Sequence, residues 1–65
     1  MTVNVEGLGK ITASKEVLNA ISVAFMHQRN YYNDAGRKWC AGQAELRSHS
    51  IYDALVKVGY YDTQE

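Results

Sequence analysis

The apolar residues of the chain follow two different periodicities, one after the other. In TVNV and KITA they alternate with polar residues, on either side of the Gly7-Leu8-Gly9 segment. Alternation around glycines, which accept positive φ, predicts a β-hairpin over residues 1–13. Two strands alone are marginal in water, so the hairpin face that carries Val3, Val5 and Ile11 is expected to pack on the rest of the chain.

From residue 14 onward the apolar spacing is helical. Ser14 is a typical N-cap because its hydroxyl can accept a free backbone N–H, and Glu16 suits the first turn of a helix. The first helix is therefore predicted over residues 14–35, with Gly36 supplying the left-handed residue that ends it.

A second helix is predicted over residues 37–59, with Gly59 as its terminating glycine, and residues 60–65 are predicted to form a tail. Gly42 costs about 1 kcal/mol relative to alanine inside a helix, so this helix begins either before or after it. The expected fold is a single α+β domain, mostly helical, in which the hairpin packs on an antiparallel two-helix hairpin.

Each predicted helix has one apolar arc when its residues are spaced at about 100°. The arc of the first helix contains Val17, Leu18, Ala20, Ile21, Ala24, Phe25, Tyr31, Tyr32 and Ala35. The arc of the second contains Cys40, Ala41, Ala44, Ile51, Tyr52, Ala54, Leu55 and Val58. Gln28 falls near the middle of the first arc, where an amide bonded to a tyrosine or to the backbone is expected, with a ligand-contacting or register-setting amide as the alternative.

Four apolar residues fall outside these arcs and are the candidate partner contacts. Trp39 and Leu46 share one face of the second helix, which either the β-hairpin or another protein chain should cover. Val23 and Met26 lie together on the first helix among polar residues, as a contact patch would. Self-association is expected, because an exposed Trp39–Leu46 ridge can pair with its own copy as a dimer.

Composition narrows the class of protein. At 65 residues, a single core leaves a thin margin of stability. Seven basic residues balance seven acidic ones, so the overall charge recruits no polyanion, and 46% hydrophobic residues is too apolar for a disordered chain. The first ten residues lack the features of a secretory signal and no apolar run reaches the roughly 20 residues of a membrane span, so a cytoplasmic location is expected.

Residues capable of chemistry form no convincing catalytic or metal-binding group. Glu45, His49 and Asp53 follow one another at four-residue spacing and could offer ligands to a metal, but such rows are usually solvated helix faces. Cys40 with His27 or His49 could form a nucleophile and its base, yet Cys40 falls on the core arc, where cysteines usually only pack. A non-enzymatic protein without cofactor or metal is therefore expected.

A basic patch is the basis of the alternative function. Arg29, Arg37, Lys38 and Arg47 cluster in sequence around the predicted helical turn, near several aromatic residues. Such a patch could bind nucleic acid. Four cations and a zero net charge make this the weaker expectation, because phosphate binding is driven by accumulated positive charge.

The stretch SHSIYDALVKVGYYD resembles the ends of small accessory proteins from phages and prophages of Gram-positive bacteria. The resemblance covers the C-terminal half and carries over no functional residue. Binding and inhibiting a host or defence protein is a common role of such proteins. The resemblance therefore implies a protein-binding module acting in the host cytoplasm, without naming its target.

Overall fold

The computed structural model describes residues 1–63 as a β-hairpin, two long antiparallel helices and a short 3-10 segment. The elements are β1 (Thr2–Val5), β2 (Gly9–Thr12), α1 (Lys15–Asp34), α2 (Lys38–Lys57) and the 3-10 segment Tyr60–Thr63. The predicted α+β, mostly helical architecture is confirmed. The last two residues of the predicted tail, 64 and 65, lie outside the described residues.

The β-hairpin forms where the alternation and the glycines predict it. β1 and β2 pair antiparallel with Val3 opposite Ile11 and Val5 opposite Gly9. Gly7 and Gly9 have φ of +79° and +85°, left-handed values that a side chain at Cβ disfavours. Because Val3 and Val5 occupy alternate positions, both point to one side of the hairpin, and both are buried.

Local signals also define the helix ends. The Ser14 hydroxyl accepts a hydrogen bond from the backbone N–H of Val17 at 3.2 Å, which is the predicted N-cap. After α1 the chain turns through Gly36 at φ +77°. α2 begins at Lys38 and therefore runs through Gly42, which answers the question that the sequence left open.

The hydrophobic core lies between the β-hairpin and the two helices. Val3, Val5, Leu18, Ile51 and Leu55 form it, each no more than 4% exposed. Leu18 is near the start of α1 and Leu55 near the end of α2, so the hairpin covers the end of the helical pair that is remote from the α1–α2 turn. The partly buried Ile21, Phe25 and Ala54 pack against the same cluster.

The helices meet along a seam of small residues. Ser22 Oγ donates to the backbone carbonyl of Ser48 at 3.2 Å, and Ser48 Oγ donates to that of Ser22 at 2.9 Å. Both serines are buried, and Ala41 and Ala44 are buried further along the seam. Because each hydroxyl has a partner on the other helix, the seam is polar at its middle without leaving an unsatisfied donor there.

The predicted core arc of α1 is only partly right: Leu18 is buried and Ile21 and Phe25 pack against the core, but the centre of the arc is displaced. The buried residues of α1 are Leu18 and Ser22, whereas Gln28 is exposed and Tyr31 is 69% exposed. The arc is displaced by roughly one residue step of 100°. Its other exposed members are Val17, Ala20, Ala24 and Ala35. The displacement arises because Ser22 is buried at the seam although it is polar, and an arc drawn from apolar residues leaves it out.

The core arc of α2 is nearly right. Ala41, Ala44, Ile51 and Leu55 are buried as predicted, but Tyr52 and Val58 are about half exposed. Both lie at the borders of the arc, where the helix surface turns away from α1 and towards solvent.

The molecule is a slab with principal extents of 36 × 28 × 16 Å. The β-hairpin packs on one flank of the helical pair. Within residues 1–63 it does not cover the opposite flank, which is called the open flank. Neither helix within residues 1–63 has the length and apolarity required to cross a membrane.

Candidate functional site

An apolar groove of about 500 Å³ lies between α1 and α2. Val23 and Met26 of α1 form one wall, and Tyr52 of α2 together with Tyr61 forms the other. Its floor is the Ser22–Ser48 pair. Two of the four predicted contacts therefore belong to one surface of the molecule.

The groove lies on the open flank of the helical pair. Residues two positions apart in a helix point in directions that differ by about 160°. Val23 therefore points away from Ile21, and Tyr52 points away from Ser50. Ile21 packs with the hairpin core, and Ser50 Oγ accepts from the backbone N–H of Glu6 at 3.5 Å. The β-hairpin therefore occupies one flank, and the groove opens on the other.

Aromatic residues close the groove at the end remote from the α1–α2 turn. The rings of Tyr52 and Tyr61 lie 5.2 Å apart, and those of Tyr60 and Tyr61 lie 5.1 Å apart edge to face. The Tyr61 hydroxyl donates to Asn19 Oδ1 at 2.6 Å, which fixes the 3-10 segment against α1. Burial raises the pKa of Tyr61, and the neighbouring phenols of Tyr52 and Tyr60 raise it further.

The described lining of the groove contains no permanently charged side chain. Among the described residues that line it, none is Asp, Glu, Lys or Arg. The polar side chains at its rim are His27, Asn30 and His49. Towards the helical turn, Arg29 Nη1 and Glu45 Oε1 form an ion pair at 3.0 Å. A surface with apolar walls and no unpaired charge favours another apolar, uncharged surface.

The other two predicted contacts, Trp39 and Leu46, lie on a separate surface. They are seven residues apart and share the outer edge of α2, which points away from α1. Trp39 is 76% exposed and Leu46 is half exposed, so the β-hairpin does not cover this edge. Of the two alternatives for this face, the structure excludes the hairpin, because Val3 and Val5 pack against Ile51 and Leu55 instead.

The four predicted cations do not gather on one surface. Arg29 is paired with Glu45 on the groove flank. Arg47 is half-buried on the hairpin flank, with its Nη2 next to Gly7. Near the helical turn, Arg29 and Lys38 line one shallow pocket with Glu45, and the exposed Arg37 precedes Lys38 in sequence. Within residues 1–63, Arg47 therefore lies apart from the other three cations, and Glu45 offsets the charge of Arg29.

The residues considered for metal binding or nucleophilic catalysis are also dispersed. Glu45 is the partner of Arg29, and no group of three or more His, Cys, Asp or Glu side chains within residues 1–63 is arranged to hold a metal ion. Cys40 is half-buried on α2, nine residues or about 13 Å along the helix axis from His49. His27 of α1 and His49 of α2 both line the groove.

No family model, curated protein or solved structure gives a significant match to the chain. The candidate site is accordingly defined by its geometry alone.

Sequence reasoning missed the residues that complete the groove. Tyr52 was expected in the core, Tyr61 in the tail, and Ser22 and Ser48 were not singled out. The spacing of the serines could have indicated their burial. Ser22 follows Leu18 by four residues and Ser48 follows Ala44 by four, so each serine lies on the buried face of its helix. Small polar residues at such positions indicate a close helix contact with reciprocal hydrogen bonds.

Proposed function

We propose that this protein is a non-enzymatic protein-binding module whose docking surface is the apolar groove on the open flank of the helical pair. The observation that carries the proposal is an uncovered apolar channel between two helices that are covered on their other flank. The partner element that fits it is an amphipathic helix with an uncharged apolar face, because apolar side chains at i, i+3 and i+4 enter a groove between helices.

The polar chemistry of the groove favours a protein segment over a small molecule. Small-molecule sites combine apolar walls with a few convergent polar groups that orient the ligand. Here the floor hydroxyls of Ser22 and Ser48 already bond to the opposite helix, so they do not converge on a ligand. The polar groups that remain, including His27 and His49, sit at the rim, as they do in protein interfaces.

The biological role that accompanies this module is inhibition of a host or defence protein by a phage-type accessory protein acting in the cytoplasm. The support for that part is the resemblance of residues 48–62, together with the small size of the domain. Val56 in this segment is half exposed beyond Tyr52 on the same side of α2, which extends the apolar surface available to a partner.

Site-specific photocrosslinking in the native host tests the docking surface. A benzophenone amino acid at Met26 lies in the groove, and the same group at Ala24 lies on the exposed side of α1 away from it. We expect the Met26 position to give one defined adduct that maps to the apolar face of a helix. We expect the Ala24 position not to give it.

A second variant ties the adduct to the groove. Val23→Asp places a charge in the apolar wall and should abolish the Met26 adduct, whereas Val17→Asp on another side of α1 should leave it intact. The two valines are matched, since Val23 is 47% and Val17 is 50% exposed. Identical adducts from Met26 and Ala24, or an adduct that survives Val23→Asp, would contradict the proposed docking surface.

A further inference from the structure

Resting on the proposed function, we infer that the helix that occupies the groove is α1 of a second copy of this chain. The two copies pack open flank to open flank about a two-fold axis, so that two helical layers meet with a β-hairpin on each outer side. This places the dimer interface at Val23, Met26 and Tyr52, and leaves Trp39 and Leu46 on the outside.

The absence of charge from the groove lining fits a self-complementary interface. In a two-fold interface every group near the axis meets its own copy, so a charged wall would face the same charge. The described lining residues include no Asp, Glu, Lys or Arg, and the nearest ion pair, Arg29 with Glu45, is already neutralised within one copy. A charged partner helix would gain no complementary charge in this groove.

The surface that a dimer requires is a modest share of this chain. A standard interface buries roughly 800 Å² on each partner, which is about a fifth of the 4518 Å² of accessible surface of the chain. The groove lies between two helices of 20 residues each, which are about 30 Å long. The proposed interface can therefore extend along both helices, with Trp39 and Leu46 outside it.

In the proposed dimer, side chains from the groove wall of one copy enter the groove of the other copy. Val23 and Met26 are three residues apart, so they stand one above the other on α1 and form a short apolar ridge. A ridge of this kind on one copy fits the channel between α1 and α2 of the other, which is how helices pack in layers. The open flank then acquires the second layer that small domains need for a stable core.

Sedimentation equilibrium of the full chain from about 10 μM to about 1 mM tests the inference. We expect a monomer–dimer equilibrium with a Kd in the micromolar range. Val23→Asp should weaken it by about 30-fold or more, because a disrupted interface centre is repeated in both copies. Val17→Asp, with the same change at a matched exposure, should leave the dimer unchanged.

Tyr52→Asp gives a second variant from the opposite wall, and circular dichroism checks that each variant is folded. A wild type that stays monomeric at about 1 mM overturns the inference. So does a dimer that survives both groove variants, or one that Trp39→Ala abolishes. A monomeric wild type with a Met26 adduct to another protein removes only the second copy as occupant, whereas the lack of any Met26-specific adduct removes the docking surface too.

Discussion

The two flanks of the helical pair are both apolar, yet among residues 1–63 the β-hairpin packs on only one of them. On the hairpin flank, Leu55 and Ile51 are completely buried beneath Val3 and Val5. On the groove flank, Val23 and Tyr52 remain about half exposed. Within residues 1–63, folding therefore leaves the groove flank as an uncovered apolar surface, and the proposed function rests on that surface.

The largest expected difference between the flanks is in their contribution to folding. Leu55→Ala should lower the free energy of unfolding by about 2–5 kcal/mol, because it leaves a cavity under the hairpin. Tyr52→Ala should lower it by about 1 kcal/mol or less in dilute solution, since Tyr52 is 48% exposed. Urea denaturation of both variants measures the contrast. Equal losses would mean that the groove flank is as much a part of the core as the hairpin flank.

The seam between the flanks is the next most sensitive region. Ser22→Leu should cost about 1–3 kcal/mol, because a large side chain at the closest approach of α1 and α2 forces the helices apart. Ser22→Ala keeps the small volume and loses one buried hydrogen bond, so a smaller loss of about 1 kcal/mol is expected. Thermal unfolding compares the two. If Ser22→Leu were as stable as the wild type, the helices would not be in close contact at this point.

The aromatic end of the groove should respond to alkaline pH. The pKa of Tyr61 is raised in the folded protein, chiefly by burial, so folding favours the neutral phenol. The raised pKa of Tyr61 therefore adds to the free energy of unfolding. This stabilisation is fully present below pH of about 10, the pKa of an unfolded tyrosine, and is lost as the pH rises through the higher pKa of Tyr61 in the folded protein. The Asn19 hydrogen bond would lose its donor in the same range.

Tyr61→Phe removes this dependence and serves as the comparison. The stability difference between wild type and Tyr61→Phe should therefore be constant up to pH of about 10 and should shrink or change sign in the range above it, as followed by urea denaturation at each pH. A difference that stays constant across this range would show that the Tyr61 hydroxyl is not linked to folding.

The smallest effect on folding is expected at the outer edge of α2. Trp39→Ala should change the free energy of unfolding by no more than about 0.5 kcal/mol, because the indole is 76% exposed and belongs to neither flank. Chemical denaturation followed by circular dichroism measures it. A loss of several kcal/mol would place Trp39 in the core and contradict the fold described above.

Most of the fold was predictable because its signals are local. The strands follow from alternation around Gly7 and Gly9, and the start of α1 follows from the Ser14 cap. The rotation of α1 was not predictable from apolar residues alone. Its buried line includes Ser22, whose burial depends on a partner 26 residues away, and a single-helix pattern contains no information about that partner.

The candidate site was predicted in part for the same reason. Val23 and Met26 stood out because they are apolar residues in a polar setting. Tyr52 and Tyr61 did not, since their contribution arises only when the 3-10 segment returns against α1 through the Tyr61–Asn19 bond. The position of Trp39 was not predictable, because α2 has apolar residues on more than one face. The sequence alone does not indicate which of these faces packs against the hairpin.

Backbone and indole N–H spectra of ¹⁵N-labelled protein, recorded over a dilution series from about 1 mM to about 10 μM, test the central claim most directly. The open flank is predicted to be the surface that meets a second copy. Resonances of Val23, Met26 and Tyr52 should therefore shift with concentration, while the indole signal of Trp39, the single tryptophan, should stay constant. Shifts confined to Trp39 and Leu46, or the absence of any shift across the series, would contradict the account.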